Sequence, residues 1–568
     1  MKKWQIINKI KNQSIRQAQD RKSKIKNEEV IYTLLENRGL KTKNEISEFL
    51  HPPDPYTLTP KDVDINKKAL LHLLTRIQKA IKNKESIVVY ADYDADGVTA
   101  GAIMWETLHG LGASVMPYIP HRVDEGYGLS KKGIDNVKRD FNPTLIITVD
   151  HGITALEKVD YATSLGIEVI ITDHHVKPKK LPKCLVVHTT RLCGAGVAWF
   201  VAKELLSSQL TVSSLQKKEL LALATIGTIA DMVPLVGANR HIVKWGLLAL
   251  NKTQRTGLKE LIRDAGLNQG EIDAYHVSHM LAPRLNAMGR LVHALDALRL
   301  LCTKRVDKAR EFAKTLGLTN KERQQLTIDT ALHARELVVA SVKRKVLNKL
   351  LFVGHEEYNP GVIGLVAGKL VEEFYRPAIV FSRGEVVSKA SARSITGFSI
   401  IEAIRSCSDI LIDAGGHPMA AGFTIETAKL ELLKKRLEDI AEKELDEEKL
   451  TRVLKIDLEI PLEIIHETLW KKNQELAPFG IGNPEPVFVS RGVKIHDIRL
   501  IGKEGKHLKL KLTTHNSQLT ALDAVAFGMG ELYGKLDVQK PLDIAYSIDM
   551  NTWKGDTNLQ LKLKDISF

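Results

Sequence analysis

Cysteine is scarce and scattered. Cys184, Cys193, Cys302 and Cys407 are the only four, and no two form a C-x-x-C pair. That pattern argues against a disulfide framework and against a thiolate zinc site, and it fits a reducing compartment. Aromatic residues are few, at 5%. No apolar run reaches the ~18–20 residues that a membrane span needs. The basic N-terminus, MKKWQIINKIKNQSIRQAQDRKSKIK, lacks the apolar core and small-residue cleavage site of a secretory signal. A cytoplasmic protein with no membrane partner is therefore expected. Internal repeats and low-complexity tracts are also missing, which excludes solenoids and fibrous arrays.

What is present is length and positive charge. At 568 residues the chain should hold about three or four domains. A composition that is 44% hydrophobic and 26% charged excludes wholesale disorder. Eighty-two Lys and Arg against 68 Asp and Glu leave a net charge of +14. Such an excess favours polyanionic partners, either nucleic acid or an anionic surface, although a merely basic enzyme would show it too.

The first 60 or so residues read as helical pieces that stop at His51-Pro52-Pro53-Asp54-Pro55, which a helix does not cross easily. From about 68 to 235, short β-branched runs (Ile87–Tyr90, Leu145–Val149, Val169–Thr172, Leu185–Val187) alternate with Ala/Leu-rich stretches. Strands that are apolar on both faces and separated by helices predict a buried parallel sheet. Residues 306 to about 350 predict one or two long connecting helices. A second α/β unit follows at roughly 350–447, and after about 452 come the short strands of a small barrel or sandwich.

Three strands of the first unit run into chemically loaded residues: Asp92-Tyr93-Asp94-Ala95-Asp96-Gly97, Asp150-His151-Gly152 and Asp173-His174-His175. In an open parallel sheet, ligands bind beyond the carboxyl ends of the strands, so these residues should converge. Clustered carboxylates repel one another and call for a compensating cation. Carboxylates with an imidazole or two, and no thiolate, suit Mn²⁺ or Mg²⁺, with enough ligands for two ions. Asp231, before Met232-Val233-Pro234, is a further candidate. A single Asp after a strand is more often a helix N-cap. The D-x-D-x-D run could be a calcium loop, but it lacks the glutamate at the twelfth position.

The ordered set resembles a known family. Asp92–Gly97, Val149–Gly152 and Thr172–His175 resemble the first three motifs of the DHH phosphoesterase superfamily, and within it the RecJ branch. Cys193–Ala198, Gly227–Leu235, Arg284–Arg290, Gly415–Gly422 and Phe479–Pro484 resemble later motifs of that branch, so the similarity covers roughly residues 30–568. It implies a parallel-sheet DHH catalytic domain at 61–300 after an N-terminal helical segment at 1–60. A connecting helix at 301–348, a DHH-associated α/β domain at 349–449 and an oligonucleotide-binding β-barrel at 450–568 would follow.

By motif position, the resemblance implies that Asp92, Asp94, Asp96, Asp150, His174 and Asp231 hold two Mn²⁺ or Mg²⁺ ions, with Asp150 bridging. Related phosphatases have a histidine where this chain has Tyr90, and Asp92 would serve in its place. His175 would contact the scissile phosphate or tune the attacking water. Arg122, Arg284, Asn286, Arg290, Ser391, Arg393, Gly415, Gly416 and His417 would bind the substrate's phosphates. Guanidinium suits this role because its fork takes two oxygens at once. The glycine pair could equally be an ordinary turn.

In His507–Leu512 and Gln560–Lys564, leucines alternate with lysines. Inward leucines would fill a barrel and leave Lys509 and Lys511 outside to track a phosphate backbone. Stacking on bases would fall to Phe488, Phe527 or Trp553. The resemblance implies a monomeric 5′→3′ exonuclease that cuts single-stranded DNA to 5′-mononucleotides in recombination and repair, with single-strand-binding protein and a helicase as partners. The alternatives are a phosphodiesterase for short oligonucleotides or cyclic dinucleotides, and a non-catalytic replication scaffold of the same superfamily.

Overall fold

The computed structural model describes residues 2–8, 26–207, 213–341, 347–514, 517–553 and 556–568. The N-terminal arm, beyond its first strand, lies outside the described residues, as does the side chain of Trp553. Two compact units are present, one formed by residues 1–57, 234–244 and 453–568, the other by 58–233 and 245–452. No described helix is long and apolar enough to cross a membrane.

The first unit opens with strand β1 (Lys3–Asn8), where a helical start was expected. KWQIIN alternates exposed with half-buried residues, which is the period of a strand. Its partner is the parallel strand at Val453–Glu459, some 450 residues away. Local periodicity gives no notice of such a pairing. The helix Asn27–Asn37 does form, and its Val30, Ile31, Leu34 and Leu35 join the barrel's apolar core.

The second unit holds the parallel sheet. Its strands are β2 (Ser86–Ala91), β3 (Ser114–Tyr118), β4 (Leu145–Val149), β5 (Glu168–Asp173) and β6 (Leu185–His188), in the order β3-β2-β4-β5-β6. β4 is buried along its whole length, and β2 and β5 are buried beyond their first residue. The register is what matters for the site. Ala91 pairs with Val149 and Val149 with Thr172, so Asp92, Asp150 and Asp173 follow as the next row.

The connection predicted for 306–350 is one helix, Val306–Ser341, of 36 residues, or about 54 Å at 1.5 Å per residue. Beyond it lie β7 (Leu351–His355), β8 (Ala378–Ser382), β9 (Val387–Arg393), β10 (Leu411–His417) and β11 (Ala420–Glu426), in the order β10-β11-β9-β8-β7. The two faces of this sheet differ. Ile379, Phe381, Ala390, Ala392, Ala421 and Phe423 pack with the Leu430–Glu444 helix. Ala378 and Val380 pack instead with the connecting helix and the Ile363–Phe374 helix. Arg393 pairs with Ala378 and Ser391 with Val380, so both side chains belong to this second face. Gly422, Gly415 and His417 continue the same rows.

In the first unit, β12 (Val453–Glu459), β13 (Phe488–Ile501), β14 (His507–Thr514), β15 (Ser517–Ala526), β16 (Leu542–Trp553) and β17 (Asp556–Ser567) close a barrel through a β13–β16 pairing. Leu508, Leu510, Leu512, Leu561 and Leu563 all point inward.

Candidate metal centre and phosphate site

One edge of the parallel sheet gathers seven candidate ligands. Asp92, Asp94 and Asp150 form one triad, Asp96, His174 and Asp231 a second, and Asp150, His174 and His175 a third. Within each triad the ligand atoms lie within 4.8 Å of one another. Asp150 and His174 link the triads, and His174 Nε2 stands 3.1 Å from Asp150 Oδ1, 3.7 Å from Asp231 Oδ2 and 4.0 Å from Asp96 Oδ2. All six predicted metal ligands are therefore brought together.

Local backbone explains the convergence. Asp94 is the N-cap of the Ala95–Gly110 helix, its Oδ1 accepting from Gly97 N at 2.9 Å, so the capping role and the candidate ligand role coexist. Asp96 accepts from the Gly194 and Ala195 amides at 2.7 and 2.9 Å. These open the Gly194–Ser207 helix, whose N-terminal donors and dipole favour a carboxylate. A Cβ at Gly194 would stand 2.4 Å from the Asp150 carboxylate, and one at Gly227 would stand 2.5 Å from Asp96 Oδ1. Only glycine allows these approaches. Asp150 itself has φ +69°, the left-handed region that non-glycine residues occupy under strain, a feature that clusters at functional sites.

The electrostatics is that of a site built for cations. Asp92, Asp96 and Asp150 are each 2% exposed. Burial, then repulsion from neighbouring carboxylates, pushes Asp92 and Asp150 well above the usual carboxylate range and Asp231 up to about 9. Asp92 Oδ1 is buried without a hydrogen-bond donor, and Asp150 Oδ1 has only the His174 ring nitrogen beside it. Buried carboxylates short of donors, an imidazole and no thiolate fit hard divalent ions.

Tyr90, at the position of the missing histidine, is a core residue. It is fully buried, with its hydroxyl 3.4 Å from the Gly128 carbonyl, and it offers no ligand to the cluster. Asp173 takes another role. Although burial works against it, hydrogen bonds from His175 and from the Ile153 and His175 amides hold its carboxyl far below the usual range. It orients His175, whose Nε2 lies 3.1 Å from the Tyr127 hydroxyl.

Beside the carboxylates lies a cluster of guanidiniums. Arg122 sits 4.9 Å over the Tyr93 ring. Arg290 donates to the Gly361 carbonyl at 3.1 Å, and Arg393 to Ser391 Oγ at 3.2 Å. Burial, then repulsion from Arg122, Arg323 and Arg393, brings Arg290 down to about 10. None of these four arginines forms an ion pair among the described residues. Arg323, on the connecting helix, was missed by sequence reasoning, because a single Arg in a charged helix carries no local signal. Tyr127, between Gly126 and Gly128, was likewise missed by sequence reasoning, although an aromatic flanked by two glycines was there to be read.

Other candidates are placed differently. Arg284 pairs with Asp264 at 3.1 Å and donates to the Met280 carbonyl, so its guanidinium is engaged on the protein. Asn286 Oδ1 accepts from Ala95 N at 2.8 Å and so buttresses the D-x-D loop. Gly415, Gly416 and His417 lie exposed on edge strand β10, with Gly416 at φ +142°. Lys509 is paired with Asp523 at 3.3 Å, and Lys511 lies in register with Asp497 and Asp523. The expected basic stripe on the barrel is thus interleaved with acids.

Three family models match the chain: "DHH family, N-terminal domain" at residues 86–228, "DHHA1 domain" at 338–443 and "RecJ OB domain" at 456–565. The single-stranded-DNA-specific exonuclease RecJ of Bacillus subtilis is 39% identical over 94% of this chain and 67% of its own length. Its counterpart from Thermus thermophilus is 32% identical over 93% of this chain and 74% of its own length. The crystal structure of Thermus thermophilus RecJ with Mn²⁺ superposes with a TM-score of 0.82 at 30% identity, covering 100% of this chain and 79% of that one. The same protein with Mg²⁺ gives 0.76 at 28% identity, with 100% and 78% covered. With the motifs, the carboxylate edge and all three domains in agreement, the chain belongs to the RecJ family of single-stranded-DNA-specific exonucleases.

Proposed function

We propose that this protein degrades single-stranded DNA from its 5′ end, releasing 5′-mononucleotides with Mn²⁺ or Mg²⁺ in the cytoplasm. The carrying observation is the juxtaposition of two sets of unlike charge, the largely buried carboxylate–imidazole triads linked by Asp150 and His174 and the half-buried Arg122, Arg290, Arg323 and Arg393, which form no ion pair among the described residues. Asp92, Asp94, Asp150, Asp96, His174 and Asp231 would hold a pair of divalent ions, which supply water activation and charge neutralisation for in-line hydrolysis. The arginines, with Ser391, hold the substrate's terminal phosphate as multidentate donors. A fixed terminal phosphate sets which phosphodiester reaches the carboxylates, and that makes the cut exonucleolytic. His175, held by Asp173 and steadied by Tyr127, presents its imidazole to the scissile phosphate. Family membership supplies the 5′→3′ polarity and the assignment to recombination and repair. The barrel at 450–568 would add single-strand affinity.

The test is direct. Purified protein with Mn²⁺ should convert long 5′-phosphorylated single strands to mononucleotides, and Asp150→Ala should abolish this while the fold is retained. Activity confined to dinucleotides would overturn the reading in favour of a short-substrate phosphodiesterase. Binding without turnover would overturn it in favour of a scaffold.

A further inference from the structure

The turn His121-Arg122-Val123-Asp124-Glu125-Gly126-Tyr127-Gly128 follows the edge strand β3 and supplies two side chains to the site. Arg122 lies over Tyr93, and Tyr127 stands beside His175. Surface turns move more than the strands they leave unless something ties them down. Here the tie is the half-buried Glu125. Its amide donates to the His121 carbonyl at 2.9 Å, and its Oε1 accepts from the His121 amide at 3.0 Å. These two bonds close a ring that includes the backbone of Arg122. The other oxygen, Oε2, accepts from the Tyr118 hydroxyl at 2.6 Å, so the ring is fastened to the last residue of β3.

The anchor is itself held. The Tyr118 hydroxyl accepts from Asn136 Nδ2 at 3.3 Å, and the Tyr118 ring lies 4.9 Å from that of the buried Tyr90. A Cβ at Gly133, in the first turn of the Lys131–Phe141 helix, would stand 2.9 Å from Glu125 Oε2 and 2.1 Å from the Tyr90 hydroxyl. Only glycine leaves room for the carboxylate there, and the helix N-terminus favours its negative charge. On another side the His121 ring stacks on His293 at 5.9 Å, three residues beyond Arg290. The same bonds decide where the charge goes. A carboxylate three residues from a guanidinium, across one turn of backbone, is placed to pair with it. With its oxygens engaged by Tyr118 and His121, Glu125 leaves the Arg122 guanidinium to the Tyr93 face and to an incoming anion.

We infer that Glu125 is a positioning residue for the terminal-phosphate site: it fixes the turn that aims Arg122, and through Arg122 it sets a preference for strands with a 5′-phosphate. Its contribution is preorganisation, because a guanidinium placed in advance costs no ordering when the phosphate arrives. This inference rests on the exonuclease reading above and names what holds one of its phosphate donors in place.

The experiment measures steady-state hydrolysis of matched 5′-phosphorylated and 5′-hydroxyl single strands in Mn²⁺. It compares the wild type, Glu125→Ala, Glu125→Gln, Arg122→Ala and the Arg122→Ala/Glu125→Ala double variant. Glu125→Ala should raise KM on the phosphorylated strand about tenfold with kcat unchanged, at the lower end of the about 10–100-fold expected for losing a charge-assisted contact outright. On the hydroxyl strand it should change neither parameter. Glu125→Gln should restore KM on the phosphorylated strand, since its amide can accept from His121 and donate to the Tyr118 hydroxyl. In the Arg122→Ala background, removing Glu125 should cost nothing further, because residues that act through one contact are not additive. Should Glu125→Ala unfold, Tyr118→Phe carries the test: it removes one anchor, keeps the ring on Tyr90, and should raise the same KM about threefold. Equal losses on the two strands would overturn the inference and mark Glu125 as a plain loop staple. So would losses that multiply in the double variant. A wild-type protein that hydrolyses neither strand would defeat the exonuclease reading itself, so the two failures are distinguishable.

Discussion

The carboxyl edge of the parallel sheet and the outer strands of the barrel both carry rows of like charge in the sequence, yet they resolve that charge in opposite ways. At the sheet edge, Asp92, Asp96 and Asp150 are buried against one another, with Asp92 Oδ1 left without a donor. On the barrel, Lys509 and Lys562 lie partly in solvent, each against an aspartate of a neighbouring strand. The barrel lysines are ordinary surface pairs, worth about 0–1 kcal/mol each. The buried acids are a standing cost to the fold that a cation relieves. Uncompensated charge marks the reactive region, and compensated charge marks a scaffold face.

That contrast can be broken most sharply at Asp150. Asp150→Asn should cut Mn²⁺-dependent turnover by about 10³-fold or more, by analogy with losing a preorganised electrostatic partner. It should also raise the melting temperature of the metal-free protein, because a repelling charge is gone. A scan in chelator against a turnover assay reads both, and a variant less stable than wild type would contradict the idea of stored repulsion. A smaller loss is expected at Arg393→Ala, where removing charge-assisted hydrogen bonds worth about 1.5–3 kcal/mol should lower kcat/KM by about 10–100-fold. That loss should shrink on strands bearing a 5′-hydroxyl, as steady-state kinetics on matched pairs of substrates can show.

The next expectation concerns pH. Asp231 is raised to about 9 in the metal-free fold, against about 3.9 unfolded. The folded state therefore binds more protons in between, and stability falls as pH rises across that window. Melting temperature in chelator should decline from pH 5 to pH 9, while saturating Mn²⁺ should remove the decline by stabilising the charged form. Parallel slopes with and without metal would speak against the cation site. The smallest effect is reserved for the barrel. Lys509→Ala should change stability by no more than about 1 kcal/mol, as denaturant titration would measure, and should leave KM near the wild-type value.

Much of the site was legible in the sequence because a parallel sheet converts position into proximity. Residues just past β2, β4 and β5 must share an edge once the strands are in register, so the acidic clusters could be joined without coordinates. Asp231 was found through its motif and sits 3.7 Å from His174. The phosphate-binding side was read less well. Arg284 and Arg290 lie on one helix in one motif, but the first turns to Asp264 and the second to the arginine cluster. A motif cannot say which side of its helix each residue occupies after packing. Asn286 likewise proved a brace for Ala95.

The sequence by itself determined the chemistry. The acids and imidazoles at strand ends, the apolar two-faced strands and the leucine alternation of the barrel are local patterns, and local patterns survive in one dimension. Only the tertiary structure decided which charges would be left unpaired. It put Asp523 beside Lys509, brought Arg323 from the connecting helix to Arg290, and laid Lys3–Asn8 along Val453–Glu459. Each of these depends on partners from distant parts of the chain, and an ion pair or a strand pairing exists only where folding brings its two halves within a few ångströms.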